Sequence, residues 1–176
     1  MTTATTHPAT TITLPSDQEI RITRTFAAPR RLVFEACTKP EHLRRWWGPR
    51  NTTLTQLEMD FRVGGRWRFV LQGPDGSEHP FCGEYREIAP PDRFVQTFVY
   101  DVPVIRDHPA VETATFEEQD GKTTLTVTIL HGSKEARDGH LQSGMEGGLN
   151  ESHERLEELL ATIVTCTDAV TEAVEK

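Results

Sequence analysis

Three polar residues are predicted to point into the same apolar space. Gln96 alternates with Phe94 and Phe98, so its amide should share their side of a strand. Glu112 keeps the parity of the apolar residues that follow it, and His131 continues the apolar parity of the preceding segment. A carboxylate, an amide and an imidazole directed into one apolar space could orient a ligand or act as acid and base.

Stronger catalytic signatures do not occur in the sequence. It contains neither G-x-S-x-G nor H-E-x-x-H, and its seven His residues show no metal-ligand spacing. His140 and His153 are thirteen residues apart on a predicted helix, too far for one metal site. Gly64-Gly65 lacks the lysine and the following helix of a phosphate loop, and nothing near Cys82 marks its thiol as activated. No catalytic residue, metal site or cofactor is therefore assigned.

Aromatic residues accompany the polar set. Strand alternation places Trp67 with Phe69 and Phe81 with Tyr85 on common sides, while Trp46 and Trp47 are expected near a cavity mouth. These rings either line an apolar cavity or fill the core, since aromatic side chains bury large areas in both cases. The residues predicted to bind a ligand are Trp47, Trp67, Phe69, Phe81, Tyr85, Gln96, Phe98, Glu112, Met145 and Leu149.

Glycines within the C-terminal helical pattern need a reason. Gly144, Gly147 and Gly148 each cost a helix interior about 1 kcal/mol relative to alanine. Close approach of helix and sheet, a bend, or space left for a ligand would each account for them.

The elements that must position these residues follow from hydrophobic periodicity. Alternation predicts a strand at Glu19–Phe26, which Arg24 alone interrupts. Two short helices follow, one starting at Ala28-Pro29 and the other opened by a capping box of Thr38 and Glu41. Six further strands are predicted at Thr53–Met59, Arg66–Gln72, Phe81–Ile88, Phe94–Tyr100, Val111–Glu118 and Thr123–Leu130. Their short connections, such as Asp120-Gly121, require antiparallel pairing.

The pattern after Ser133 predicts one long amphipathic helix. Its apolar stripe consists of Leu141, Met145, Leu149, Leu156, Leu160 and Ile163. One helix is about 10 Å wide and cannot cover a flat seven-stranded sheet, so the sheet must curl around it and leave internal space. The predicted fold class is α+β, a curved antiparallel sheet closed by a C-terminal helix.

The remaining bulk properties narrow the function classes. The net charge of −8 disfavours nucleic acid and anionic membranes as partners. Cys37, Cys82 and Cys166 fit reduced thiols, and no segment resembles a signal peptide or membrane span, which predicts a cytoplasmic protein. We expect a flexible tail at residues 1–16, one domain at residues 17–163, and a polar tail or frayed helix end at residues 164–176.

Several segments together resemble the START-like (SRPBCC, helix-grip) superfamily. They are Phe26–Pro29, Trp46–Pro49, Asp60–Trp67, Gly83–Tyr85 with Ile88, Ser133–Arg137 and Ser143–Met145. More narrowly, the chain resembles the bacterial branch similar to the activator of the heat-shock-protein-90 ATPase, from about Glu19 to Leu160. That resemblance implies a helix-grip fold with a cleft between helix and sheet. Its members bind lipids or other apolar molecules, cyclise polyketides or act as co-chaperones, so the fold does not select one activity.

Three functional hypotheses follow. The first is binding of a small apolar molecule, lipid-like or aromatic, in the cavity. The second is a cyclase or hydrolase type of enzyme in the same cavity, with Glu112 or His131 as acid–base groups; it fails if Glu112 lies on the outer face. The third is a co-chaperone that stimulates a heat-shock ATPase. A chaperone partner and a homodimer formed through a sheet edge are the macromolecular associations considered.

Overall fold

The chain folds into one curved antiparallel sheet with four helices. The computed structural model describes residues 10–174, with side chains described through residue 165. The strands are β1 (Thr11–Thr13), β2 (Glu19–Phe26), β3 (Thr53–Met59), β4 (Arg66–Gln72), β5 (Glu78–Ala89), β6 (Arg93–Tyr100), β7 (Ala110–Gln119) and β8 (Lys122–Leu130). The helices are α1 (Arg30–Thr38), α2 (Pro40–Trp46), α3 (Lys134–Gln142) and α4 (Met145–Val174). No helix in this part of the chain is long and apolar enough to cross a membrane.

The sheet has eight strands in the order β1-β2-β8-β7-β6-β5-β4-β3, all antiparallel to their neighbours. All seven predicted strands are present. The sheet contains one strand more, so the predicted number of strands was wrong by one. The additional strand is β1, which lies within residues 1–16, the segment expected to be a flexible tail. It pairs with β2. Its three residues are too few to show alternation, and only Ile12 joins the apolar packing. Residues 1–9 of that expected tail lie outside the described residues.

The two predicted short helices are present as α1 and α2; α1 packs against β7 and β8, and α2 against β3. Leu32, Val33 and Ala36 of α1 are all buried. The predicted capping box is not formed, because the chain positions Lys39 as the N-cap of α2. The Thr38 hydroxyl instead donates to the Phe34 carbonyl at 2.8 Å, one turn back in α1.

The predicted single long helix is wrong, because the chain breaks it into α3 and α4. Ser133 caps α3, and its hydroxyl accepts a hydrogen bond from the Ala136 N–H at 3.1 Å. Gly144 then adopts φ +84°, a left-handed conformation that no helix interior contains. After this break α4 runs on for 30 residues and packs against α1 and α2.

The core falls into two groups of buried residues. The larger one, around Phe26, Val33 and Leu156, packs α1, α2 and α4 against strands β2 to β8. The smaller one, around Ile20 and Ile129, lies at the β1 end of the sheet, and residues near the α3–α4 break pack against it. The space between helix and sheet is therefore bounded by two apolar groups rather than filled by one.

The turn before β4 is held by two glycines and one ion pair. Gly64 has φ +83°, and a β-carbon on Gly65 would come 1.9 Å from the Asp60 carbonyl oxygen. The Arg62 guanidinium pairs with the Asp60 carboxylate at 2.6 Å across the same turn. Glycine is required here by backbone geometry, and the ion pair is structural.

Candidate functional site

A cavity of about 270 Å³ lies between the sheet and the C-terminal helices. Every residue predicted to bind a ligand lies on its wall. Those residues are Trp47, Trp67, Phe69, Phe81, Tyr85, Gln96, Phe98, Glu112, Met145 and Leu149. The alternation rule thus identified the inward side of β4 to β7 correctly; whether these residues bind a ligand stays a prediction.

Aromatic rings in edge-to-face and tilted contacts form one side of the cavity. The Trp47 ring centroid lies 5.0 Å from that of Phe69 and 5.4 Å from that of Phe81, both nearly perpendicular. Trp67 continues the row, with its centroid 5.0 Å from Phe69 and 5.9 Å from Phe98. Rings held by several such contacts form a rigid wall that presents apolar surface to the space.

Glycine in β5 makes room for this wall. A β-carbon on Gly83 would come 1.8 Å from the Thr97 carbonyl oxygen and 2.6 Å from the Trp67 indole nitrogen. Trp67 therefore lies directly over the backbone of β5. In α4, a β-carbon on Gly148 would lie 3.1 Å from Cγ of Pro49, so close packing accounts for that helix glycine. Gly148 also lines the cavity, whereas a β-carbon on Gly147 would meet no atom within 4 Å.

Half-buried wall residues flank the break between α3 and α4. They include His140, Met145 and Leu149, and Phe98 stacks on His140. Trp47 is also a half-buried wall residue, and its predicted place near a cavity mouth stays a prediction. Trp46, predicted beside it, is instead buried, because its indole N–H donates to the Ala36 carbonyl at 2.8 Å.

Glu112 places a carboxyl group in this otherwise apolar wall. It is half-buried, and the Gln96 amide donates to its Oε1 at 3.3 Å. Burial raises the pKa of Glu112 to about 7, against the smaller opposing effect of the Gln96 hydrogen bond. Among the ion pairs of the described residues, none includes Glu112.

Two further groups near Glu112 remain neutral at physiological pH. Burial and then the Glu112 charge raise the pKa of the Cys37 thiol to about 12. The same two causes raise the pKa of the Tyr85 hydroxyl. Both residues line the cavity as proton donors. Cys37 was not among the predicted site residues, because a lone Cys in a helix pattern gives no sign of facing a cavity.

The histidines are arranged differently from the prediction. His131 is buried beside the cavity without lining it, and its Nε2 lies 3.0 Å from Nδ1 of His140. His140 does line the cavity, and its ring stacks on Phe98 with centroids 6.2 Å apart. His153 is the second lining histidine that the sequence did not reveal as a wall residue. Burial lowers the pKa of His140 and of His153 to about 4, so both are neutral at pH 7.

The arrangement can therefore exclude water, bury an apolar molecule and offer it one carboxyl group. Of the two groups considered for acid–base chemistry, Glu112 lies on the wall and His131 does not. Glu112 faces the cavity, so the outward orientation that would exclude the enzyme hypothesis is not found, but the two side chains do not converge inside the cavity. The described residues contain no group of His, Cys, Asp and Glu that could hold a metal ion.

Sequence comparison assigns the family. The family model described as "Activator of Hsp90 ATPase homolog 1-like protein" matches residues 27–161. The chain belongs to this family. Its match spans α1 to most of α4 and so includes nearly all of the cavity wall. Among curated proteins, no sequence is similar enough to count as a match.

Solved structures of bacterial proteins share the fold of this family member. A crystal structure from Rhodobacter sphaeroides has a TM-score of 0.81 and 26% identity, covering 88% of this chain and 99% of that protein. Protein Ms6760 from Mycobacterium smegmatis has a TM-score of 0.76 and 27% identity, covering 87% and 97%. A protein from Staphylococcus epidermidis has a TM-score of 0.73 and 29% identity, covering 86% and 94%. The helix-grip architecture, with a curved antiparallel sheet, is consistent with these likenesses.

Proposed function

We propose that the chain binds a small apolar molecule in the cavity between the sheet and α4. The observation that carries this proposal is the cavity itself, about 270 Å³ left unfilled inside a wall of interlocked rings. Protein interiors are normally close-packed, and an apolar cavity of about 150 Å³ already holds a molecule the size of benzene. The space suits a ligand of one or two rings, or a short branched chain.

The chemistry of the wall sets the expected balance of forces. Apolar contact contributes about 25 cal/mol per Å² of ligand surface removed from water, before the costs of association. Most lining side chains are aliphatic or aromatic, so this term dominates. The few polar groups then fix the orientation of the ligand.

A tryptophan placed on the cavity wall tests the proposal. Leu149→Trp adds a bulky side chain on the cavity wall, whereas Val63→Trp makes the same addition at an exposed turn residue outside the wall. We expect a library of apolar and aromatic probes, screened by thermal unfolding, to contain members that raise the Tm of the wild type. Leu149→Trp should weaken their binding at least about tenfold because it occupies their space, and Val63→Trp should leave it unchanged.

Two results would count against cavity binding. One is the lack of any Tm shift across the library with folded wild-type protein. The other is equal probe affinity in the wild type and Leu149→Trp, which would place the binding elsewhere.

An acid–base reaction in the same cavity is the second candidate, and Glu112 is the observation that favours it. A carboxyl group with a pKa of about 7 is suited to proton transfer near neutral pH. Mass spectrometry of bound probes after incubation distinguishes turnover from binding, with Glu112→Gln as the inactive control.

The co-chaperone hypothesis is supported by the description of the matching family. An ATPase assay with purified Hsp90 tests it.

A further inference from the structure

The titratable groups of the cavity leave it without a positive charge at pH 7. His140 and His153 have pKa values of about 4, and the Cys37 thiol and the Tyr85 hydroxyl stay protonated. These four groups and Glu112 are the titratable side chains on the wall. Lysine and arginine are absent from the wall among the described residues. The cavity is therefore neutral or singly negative, depending on Glu112 alone.

The hydrogen bond at Glu112 suits its ionised form. Gln96 donates its amide N–H to Oε1, and a carboxylate is the acceptor-only form of the group. Among the hydrogen bonds of the described residues, Oε2 takes part in none. An uncompensated carboxylate in an apolar wall is unfavourable, and a positive group beside it would remove that cost.

The rest of the wall also favours a positive group. The faces of aromatic rings attract organic cations, and the attraction grows when the cation is shielded from water. Trp47, Trp67, Phe69 and Phe81 supply such rings within the same cavity as Glu112. The net charge of −8 adds a long-range attraction for cations approaching the molecule.

We propose that the ligand is a small organic cation, an apolar molecule carrying one ammonium group that pairs with Glu112 while the aromatic wall surrounds its apolar part. This inference rests on the proposed function and names the class of ligand for the same cavity. A neutral molecule with a carbonyl group is the alternative, and it would need Glu112 protonated in order to receive a hydrogen bond.

A pair of probes with the same shape separates charge from size. Phenyltrimethylammonium carries a permanent charge, and tert-butylbenzene is its neutral isostere. Trp46, Trp47 and Trp67 are the only tryptophans of the chain and all line the cavity, so intrinsic fluorescence reports binding of either probe. At pH 8 we expect the cation to bind about tenfold more tightly than the isostere.

The preference should follow the charge of Glu112. Glu112→Gln should remove the cation preference and leave tert-butylbenzene binding nearly unchanged. In the wild type, cation affinity should rise between pH 5.5 and pH 8 as Glu112 ionises, while the affinity of the neutral probe stays level or falls. The wild-type pH series decides the matter even if Glu112→Gln fails to fold, which near-UV circular dichroism reports.

Other results overturn the inference in distinguishable ways. Equal affinities for both probes would reject the cation. A cation preference that survives in Glu112→Gln would reject the pairing with Glu112. In both cases the proposed cavity function stands. A neutral probe that binds more tightly than the cation at pH 8, where Glu112 is ionised, would also reject the cation. If neither probe binds folded protein at either pH, the inference falls, and the proposed function loses its support from ligands of this size.

Discussion

Glu112 is the residue on which the chemistry of the cavity depends. Its position on β7 follows from strand parity, and its raised pKa follows from burial in an apolar wall. In the unfolded chain the same carboxyl titrates near 4.3. The folded protein therefore holds this proton more tightly than the unfolded chain does.

That difference predicts a pH-dependent cost to stability. Between pH 4.3 and 7 the folded state binds more protons at Glu112, so its contribution to the free energy of unfolding falls as pH rises and stays low above pH 7. Glu112→Gln should thus raise the free energy of unfolding at pH 8 by roughly 1–3 kcal/mol, with little gain near pH 5. Urea denaturation at the two pH values measures both quantities.

Glu117→Gln is the matched control, because Glu117 is exposed on the same strand. It should change stability little at either pH. The same gain from Glu112→Gln at pH 5 and pH 8 would show that the carboxyl of Glu112 has an ordinary pKa in the folded protein.

Individual wall residues could be predicted where a strand fixes which way a side chain points. Gln96 and Glu112 were assigned inward on parity alone, and the structure places both on the wall. His140 was assigned to the helix but not to the wall, because helix rotation depends on packing that one sequence does not contain. His131 continued the right parity, yet it lies beyond the end of β8, where alternation no longer applies.

At the scale of elements, the break between α3 and α4 separates two helices that both contribute to the cavity wall. Gly144 has φ +84°, and a β-carbon there would meet no atom within 4 Å. Any penalty for a side chain at this position is therefore purely a backbone penalty. Gly139 is its counterpart within α3, with regular helical geometry and equally open surroundings.

The two glycines predict opposite effects of the same substitution. Gly144→Ala should lower the free energy of unfolding by about 1 kcal/mol or more, because alanine is strained in the left-handed region. Gly139→Ala should raise it by roughly 0.5–1 kcal/mol, because alanine favours a helix interior. Thermal or urea unfolding measures both; stabilisation by Gly144→Ala would mean that α3 and α4 form one continuous helix in solution.

Elements with clear periodicity were predictable, and breaks and very short elements were not. β3 and β4 match their predicted bounds, because alternation and flanking turns mark both ends. The apolar stripe from Leu141 to Ile163 continues across the break, so periodicity alone suggested one helix. The glycines gave a signal, but a sequence does not show which of Gly144, Gly147 and Gly148 takes a positive φ.

At the scale of the whole molecule, one buried ion pair ties the sheet to α4. The Arg24 guanidinium of β2 contacts the Glu157 carboxylate at 2.8 Å, with side chains 3% and 19% exposed. Arg24 also donates to the Thr10 hydroxyl at 3.2 Å, and its guanidinium lies 5.6 Å from the Phe26 ring centroid. Arg24, the single break in the alternation of β2, is thus a tertiary contact across the molecule.

The unequal burial of the pair predicts unequal costs. Glu157→Leu leaves the more deeply buried charge of Arg24 uncompensated and should cost roughly 3 kcal/mol of unfolding free energy. Arg24→Met leaves the more exposed carboxylate and should cost less. The double variant should recover much of the loss, because two apolar side chains can replace a buried pair. Additive costs in a denaturation cycle would contradict this coupling.

The partner of Arg24 could not be predicted from the sequence. The interruption in β2 was visible, but the residue that compensates it lies 133 positions later, on a helix whose rotation was unknown. The curved sheet and the C-terminal helical segment packed on it could be predicted from the sequence, because a many-stranded antiparallel sheet and one amphipathic helix can pack together in only a few ways. The volume of the cavity depends on how side chains pack, and so required the structure.

The two outermost strands have a consequence for association. An open sheet presents unpaired backbone groups at both ends, which another chain can extend. Here one end is β1, only three residues long, and the other is β3, where the pairing shifts between Leu54 and Gln56. Short and bulged strands are poor templates for adding a strand from a neighbouring molecule. The same features that complete the sheet therefore oppose edge-to-edge dimers and aggregation.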